Sequence, residues 1–467
     1  MAMKKSWLSK LLIFGILLLS TKNYAQQKNN FSVKQCVDYA NKNAVSVKNA
    51  LLDIDIQQQQ NRQITAAALP QVNSSISGNH YFNIPIQPIP DFVNFNIYEA
   101  FEKNGVKNGS GIPITNPKNF AELPFSISSK WNASGNIDVQ QLLFDGQVFV
   151  GLVARNAVLE YARKNADITS EQVKANVYKI YYQLVIGKKQ LASLDANIER
   201  FEKLLHDTKE IFKNGFAERL DVDKVTVQLN NIKTEKIKIE NALAAGNAGL
   251  KFLMNMPQKE ELILSDTLNE TELKSGILDE EYEYKDRKEM QLLGIAEKLG
   301  GYNIRRYKLS KIPTIAAFAS YSKNAQRPSF NFFNKGDWFT TSLVGVKMAI
   351  PIFDGNSRNA HIQQSRYELQ KTRNTIAQMK ASIDYDVAHS RINMKSALLT
   401  MDNQKKNIEL AEKVYNTTKK KYEQGLGNNQ EIYFAESELK VAQTNYYSSL
   451  YDALNAKIDY LKAIGKL

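Results

Sequence analysis

Leu143-Phe144-Asp145-Gly146 returns, nearly unchanged, as Ile352-Phe353-Asp354-Gly355. Each copy closes a run in which apolar and polar residues alternate. Each opens a helical pattern nearly seventy residues long that runs into a glycine, Gly215 in the first case and Gly425 in the second. The step is 69 residues from Gly146 to Gly215 and 70 from Gly355 to Gly425. Self-similarity at this length marks an internal repeat, which decides the architecture before any single element does.

Upstream of the first copy, residues 125–139 place Phe125, Ile127, Trp131, Ala133, Ile137 and Val139 on one face and serine, asparagine, lysine and aspartate on the other. That is a strand with one apolar and one wet side. It fits an edge strand on a soluble core and a barrel strand between lipid and water equally well. Residues 72–82 read as a second strand. Before it, residues 31–69 read as a helix, with Val33, Val37, Ala40, Ala44, Val47, Leu51 and Ile54 at helical spacing. Ser32 or a neighbour can cap it, and Pro70 ends it. Residues 83–124 are dense in proline and glycine and read as a long loop, with a short helix near 98–103.

Downstream, residues 147–214 read as one helix. Val177, Leu184, Leu191, Ile198, Leu205 and Phe212 recur every seven residues, with Tyr181, Leu194 and Phe201 widening the stripe. Sevenfold spacing predicts coiled-coil packing over roughly 100 Å of helix. A turn at 215–219 leads into a returning helix over 220–255, stopped by Pro257. Residues 259–284 are acidic and without pattern. The second copy then repeats the order: helix 290–311, strand 314–321, a shorter loop 324–337, strand 340–350, long helix 357–423, turn 425–429 and helix 430–464. The expected division is a signal peptide over 1–25, a first repeat over 26–257, an equatorial linker over 258–285 and a second repeat over 286–467. The helices flanking the strands and turns are about half the long ones. Stacked end to end they would match a long helix, with the strands at one pole, the turns at the other and the linker as a belt.

The leader has Lys4, Lys5 and Lys10 ahead of nine apolar residues over 11–19, and Asn23-Tyr24-Ala25 as a cleavage point. Nine apolar residues are too few for a spanning helix, which needs about 20; an uncleaved anchor is the alternative. No later run reaches 18 apolar residues, so any membrane crossing would have to be a closed β-barrel. The formal charge is +13, four of it from leader lysines. The other lysines alternate with acids, as in Lys233, Glu235, Lys236, Lys238 and Glu240, which is a solvated helix face and not a nucleic-acid footprint. Cys36 is the only cysteine, which excludes an intrachain disulfide and leaves a packed small hydrophobe. His80, His206, His361 and His389 lack metal-site spacing, and there is no phosphate-binding glycine loop. No catalytic residue, metal or cofactor is expected. Four strands cannot close a barrel, since eight is the usual minimum; two copies supply 8 and three supply 12. The alternative is a non-conducting periplasmic coiled-coil scaffold with a small β cap.

With both Phe-Asp-Gly junctions, Leu69-Pro70 and the two turns laid out, the chain resembles the outer membrane efflux protein family, the TolC-like channels. The first turn runs Asn214-Gly215-Phe216-Ala217 into Leu220-Asp221-Val222, and the second Tyr422-Glu423-Gln424-Gly425 into Glu431-Ile432. The resemblance covers nearly all of 31–467. It implies a mainly α fold with a small β part: a homotrimer sharing a 12-stranded barrel in the outer membrane and an α-helical tunnel across the periplasm. It implies an exit channel of a tripartite efflux or type I secretion system. The partners would be a periplasmic adaptor (membrane fusion) protein, an inner membrane transporter and outer membrane lipid. The cargo would be drugs, metals or proteins, and the channel itself would do no chemistry.

The resemblance also points to residues. Glu431 matches a position where family channels often carry a pore-narrowing aspartate. Three such carboxylates on one axis would repel one another and attract cations. A second acidic position of some members falls at Phe434, so an apolar constriction under a single carboxylate ring is the expectation here. Asp221 is the equivalent place in the first repeat. Glu431 and Asp221 also fit a plain role, stabilising the first turns of their helices. Gly215 and Gly425 suit positive φ at helix ends, and Phe216, Ala217, Leu426, Gly427 and Asn428 beside them would be presented to an adaptor; plain C-caps are the alternative. Asp145 and Asp354, at the barrel-to-tunnel junction, can accept the first free helix N–H groups, and Gly146 and Gly355 would let the chain bend. Tyr81, Phe82, Trp131, Phe332, Phe333 and Trp338 could belong to an interfacial girdle or to ordinary packing.

Overall fold

The computed structural model describes residues 28–117, 122–126, 128–267, 270–274, 280–334 and 336–467. The leader over 1–25 and Ile127 of the alternating run lie outside the described residues. In chain order the elements are β1 (Lys28–Phe31), α1 (Val33–Asn43), α2 (Val45–Ala66), β2 (Gln71–His80), β3 (Ile86–Pro90), α3 (Phe92–Lys103), β4 (Glu122–Ser126) and β5 (Trp131–Phe144). Then come α4 (Gly146–Lys213), α5 (Arg219–Leu253), β6 (Glu261–Leu264), α6 (Glu270–Lys274) and a 3-10 turn at Tyr284–Asp286. The chain finishes with α7 (Lys288–Leu309), β7 (Thr314–Arg327), β8 (Phe339–Ala349), α8 (Ser357–Glu423) and α9 (Asn429–Ala463). Two compact units form, and both halves of the chain contribute to each. One comprises 60–154 and 302–364; the other comprises residues up to 59, 155–301 and 365–467.

The first unit carries a four-stranded antiparallel sheet in the order β2-β5-β7-β8. Its register aligns Val72, Val139, Ala319 and Val344 in one row, and Ser74, Ile137, Tyr321 and Ser342 in the next row on the same face. The opposite face reads Asn73-Asp138-Ser320-Leu343 and Ser75-Asn136-Ser322-Thr341, polar in these rows except for Leu343 on β8. Because side chains alternate along a strand, this register separates an apolar from a polar face. The apolar face is open: Ile76 is 90% exposed and Val344 82%. Among the described residues β2 and β8 each pair on one side only, so both edges of the sheet are unpaired there. At one end His80, Trp131 and Phe330 form successive ring contacts at 4.2 and 5.1 Å, and Arg327 lies over Phe332.

The described residues of 83–124 form more regular structure than their composition predicts. β3 and β4 pair antiparallel, from Ile86 opposite Ser126 to Pro90 opposite Glu122, with α3 between them. A two-stranded ribbon tolerates Pro88 facing Pro124 because no central ladder needs their missing donors. Asp91 caps α3 by accepting the Asn94 N–H at 3.0 Å.

The second unit is helical. The helix predicted over 31–69 is two helices. Ser32 starts the first with a reciprocal Ser32–Gln35 capping box. The break is at Ala44, where ψ is 132°, and the Asn43 carbonyl accepts the Asn255 side chain. The patternless stretch 259–284 contains β6, parallel to β1, and the short α6. Alternation over only Glu261 to Leu264, with Leu262 and Leu264 inward, is too brief to stand out in an acidic run. Asp266 then ties the segment to α1, accepting the Val33 N–H at 2.7 Å, while its own N–H donates to the buried Tyr181 hydroxyl at 3.1 Å. Burial pushes the Cys36 thiol in this cluster up to about 12, leaving it a packed group without thiolate reactivity.

The buried stripe of α4 changes face along the helix. Val177 and Leu184 are inward against α1 and the end of α5. Farther along, Leu194, Phe201 and Leu204 are the buried positions, against Val225, Leu229 and Ile232 of α5, Tyr415 of α8, and Ile432, Ala435 and Leu439 of α9. Leu191, Ile198 and Leu205 are half-buried and Phe212 is exposed. A change of partners, which a strict seven-residue count cannot register, moves the stripe.

Candidate functional site

The two turns end the α4 and α8 helices in the same way. At Gly215 φ is +81°, and at Gly425 +72°. The Gly215 and Phe216 N–H groups donate back to the Phe212 and Ile211 carbonyls, and those of Gly425 and Leu426 to Tyr422 and Lys421. This paired 5→2 and 6→1 pattern satisfies carbonyls that a helix end leaves free, and it needs a left-handed residue that glycine supplies without steric cost. Immediately beyond, Phe216 is 86% exposed and Leu426 77%. The turns are neighbours: the Thr208 hydroxyl on α4 donates to the Asn429 side chain on α9 at 2.9 Å. Gly215, Phe216, Ala217, Gly425, Leu426, Gly427 and Asn428 therefore belong to one end of one helical unit.

Both acidic candidates face their own helix starts. The Asp221 carboxylate accepts the Glu218 N–H at 3.2 Å. Asn428 accepts the Glu431 N–H at 2.8 Å, and its amide lies 3.4 Å from the Glu431 carboxylate. Within this chain each carboxylate thus serves a first helical turn, where the dipole favours negative charge. Glu431 is exposed, and so is Phe434 one turn along the same face of α9.

The junction residues lie in the other unit. Asp145 accepts the Gln147 N–H at 2.7 Å and the Val148 N–H at 3.3 Å. Asp354 accepts the Arg358 N–H and its guanidinium, both at 3.0 Å. Those bonds hold the Asp354 carboxyl below the usual carboxylate range. The two glycines differ. Gly355 has positive φ, whereas at Gly146 a Cβ would stand 2.7 Å from the Leu309 Cβ. Gly146 is a matter of space between helices.

One polar group near the turns escapes a search for exposed acids. Glu436 on α9 is buried, next to Arg200 of α4 and Tyr415 of α8. Its sequence signal is a carboxylate inside the apolar stripe Ile432, Ala435, Leu439. Among the described residues no cluster of histidine, cysteine, aspartate and glutamate could hold a metal ion, and no helix is long and apolar enough to cross a membrane.

Residues 290–466 match the family model described as outer membrane efflux protein. The proteases secretion protein PrtF of Dickeya chrysanthemi is 22% identical over 224 residues, 45% of this chain and 48% of that protein, so the match spans about half of PrtF. The outer membrane protein TolC of Vibrio cholerae is 18% identical over 338 residues, 72% of this chain and 77% of that protein. The solved structure of the outer membrane protein VceC from Vibrio cholerae shares the fold, with a TM-score of 0.68 at 14% identity over 93% of this chain and 96% of that one. Residues 290–466 are thus similar to outer membrane efflux proteins, and the fold is that of the solved outer membrane protein VceC.

Proposed function

We propose that the protein is the exit channel of a tripartite efflux or type I secretion system, working as a homotrimer. The observation that carries this is the sheet: an exposed apolar face, a polar opposite face and two unpaired edges. An isolated sheet of that kind exposes both apolar surface and free backbone groups, which water-soluble proteins cover. With four antiparallel strands per chain, β8 of one copy can pair β2 of the next without breaking the alternation. Three copies then close 12 strands, with lipid against the apolar face and water against the polar one. As a channel the protein is not an enzyme.

In this reading residues 1–25 are the export signal, 26–257 and 286–467 are repeats, and 258–285 is the equatorial linker between them. The exposed turn residues Phe216, Leu426 and Asn428, with the half-buried Ala217 and Gly427 between them, are the surface a periplasmic adaptor protein engages, and an inner membrane transporter delivers cargo through it. Glu431 with Phe434, and Asp221 beside them, narrow the entrance when three copies surround one axis. PrtF is named for protease secretion, which keeps protein cargo beside small molecules.

The test is the protein mass of the particle extracted in mild detergent from separated outer membranes, followed by conductance in a planar bilayer. Three chains and a steady ion current are expected. A monomer released by salt, or a particle that passes no ions, would return the chain to a peripheral scaffold.

A further inference from the structure

We propose that Glu436 is a proton-operated lock holding α4, α8 and α9 together beside the two turns. Its side chain is 3% exposed, and its Oε2 has no hydrogen-bond partner. The groups around it come from every helix packed there. From α8, the Tyr415 hydroxyl and the Lys419 charge both favour the carboxylate. From α4, Arg200 exerts a favourable field, but its guanidinium is engaged elsewhere. It donates to the buried Asn197 and lies over the Tyr415 ring, 5.5 Å from the centroid. The α5 members of the cluster, Val225, Leu229 and Ile232, are apolar. Lys440, one turn along α9, pairs with Glu235 at 2.5 Å instead, and among the described residues Glu436 forms no ion pair.

Such a site accepts a neutral acid and resists a carboxylate, because an ion there gives up water without equivalent partners. Burial accordingly pushes the Glu436 carboxyl from 4.5 up to about 7, against the smaller opposing effects of Arg200, Tyr415 and Lys419. The sign follows from linkage. Below 4.5 the group is protonated whether the helices are packed or parted. Between 4.5 and about 7 the packed state retains a proton that the parted state has released, so packing weakens as pH rises. Above about 7 both states are ionised and the loss is complete.

The seam is suited to this switch. Besides Glu436 it buries Asn197, whose amide donates to Gln443 at 2.9 Å, and Thr208, bonded to Asn429. Parting α4 from α9 exposes polar groups that water can satisfy, so opening costs less than at an all-apolar seam. The inference concerns packing within one chain and does not depend on the channel reading.

The test is hydrogen exchange on the full-length protein in detergent micelles, corrected for the intrinsic pH dependence of exchange. Peptides covering 194–208, 411–423 and 432–443 are compared with sheet peptides. Opening at these helices should rise on the order of 40-fold between pH 5 and pH 7 and then level off, while Glu436→Gln stays near the acid level throughout. A flat wild-type profile overturns the proposal, as does an equal rise in Glu436→Gln. If that variant fails to fold, infrared difference spectra of the wild type decide: a protonated carboxylic acid must titrate near neutral pH, and its absence is equally fatal.

Discussion

Gly425→Ala isolates the cost of one backbone angle. The glycine has φ +72°, and a Cβ built there meets nothing within 4 Å, so the substitution adds strain and no clash. For an L-residue the left-handed region costs about 1–2 kcal/mol. The helix end can avoid that cost only by giving up the two bonds from Gly425 and Leu426 to Tyr422 and Lys421. A penalty of that size corresponds to a roughly 5- to 30-fold increase in local opening. Hydrogen exchange over 415–435 reads it directly, with strands β5 and β7 as an internal control that should not move. Gly425→Asn should cost less, because asparagine tolerates the left-handed region better, and Gly425→Val more, because its branched Cβ is stiffer. In cells, Gly425→Val should abolish adaptor-dependent export while the protein still assembles in the outer membrane. Unchanged exchange in the alanine variant would refute the backbone argument. Normal export by the valine variant would refute the docking assignment.

Gly146→Ala tests space instead of φ: its methyl would meet the Leu309 side chain at 2.7 Å and its carbonyl at 3.0 Å, so a loss of about 1–3 kcal/mol is expected in thermal or denaturant unfolding. Acidification should release α6 from α8 and α9. Hydrogen bonds from Lys405 at 2.7 Å and Tyr446 at 2.6 Å hold the Glu270 carboxyl below its ordinary 4.5. Its contribution is therefore complete above that value and lost as pH falls through the lowered one. Exchange of the 270–274 amides should rise on that descent in the wild type, and Glu270→Gln should show the rise already at neutral pH.

Much of the scaffold was legible in one dimension because its signals are local and long. Two copies of a pattern with a glycine-to-glycine step of 69 or 70 residues, unbroken helical periodicity and a glycine at each reversal need no knowledge of partners. The long helices accordingly fall within a residue of their expected limits, at Gly146–Lys213 and Ser357–Glu423. Ser32, Asp145 and Asp354 were readable as caps for the same reason, since a cap bonds to residues two to four positions away. Elements that depend on distant partners were not readable. The pairing of β1 with β6 joins residues more than 230 positions apart through four-residue strands. The break at Ala44 involves Asn255, and the ribbon of β3 and β4 is masked by prolines that only its two-stranded form tolerates.

The same division runs through the candidate sites. The sequence by itself determined which residues occupy the turns and that one face of each strand is apolar. Only the tertiary structure decided that the turns are neighbours, that Asp221 and Glu431 serve their own helix starts, and that Glu436 on α9 is buried against α4 and α8. Periodicity records which way a side chain points along its own element. Burial and charge depend on what stands opposite, and for Glu436 that is Arg200 and Tyr415, brought from two other helices by the packing itself.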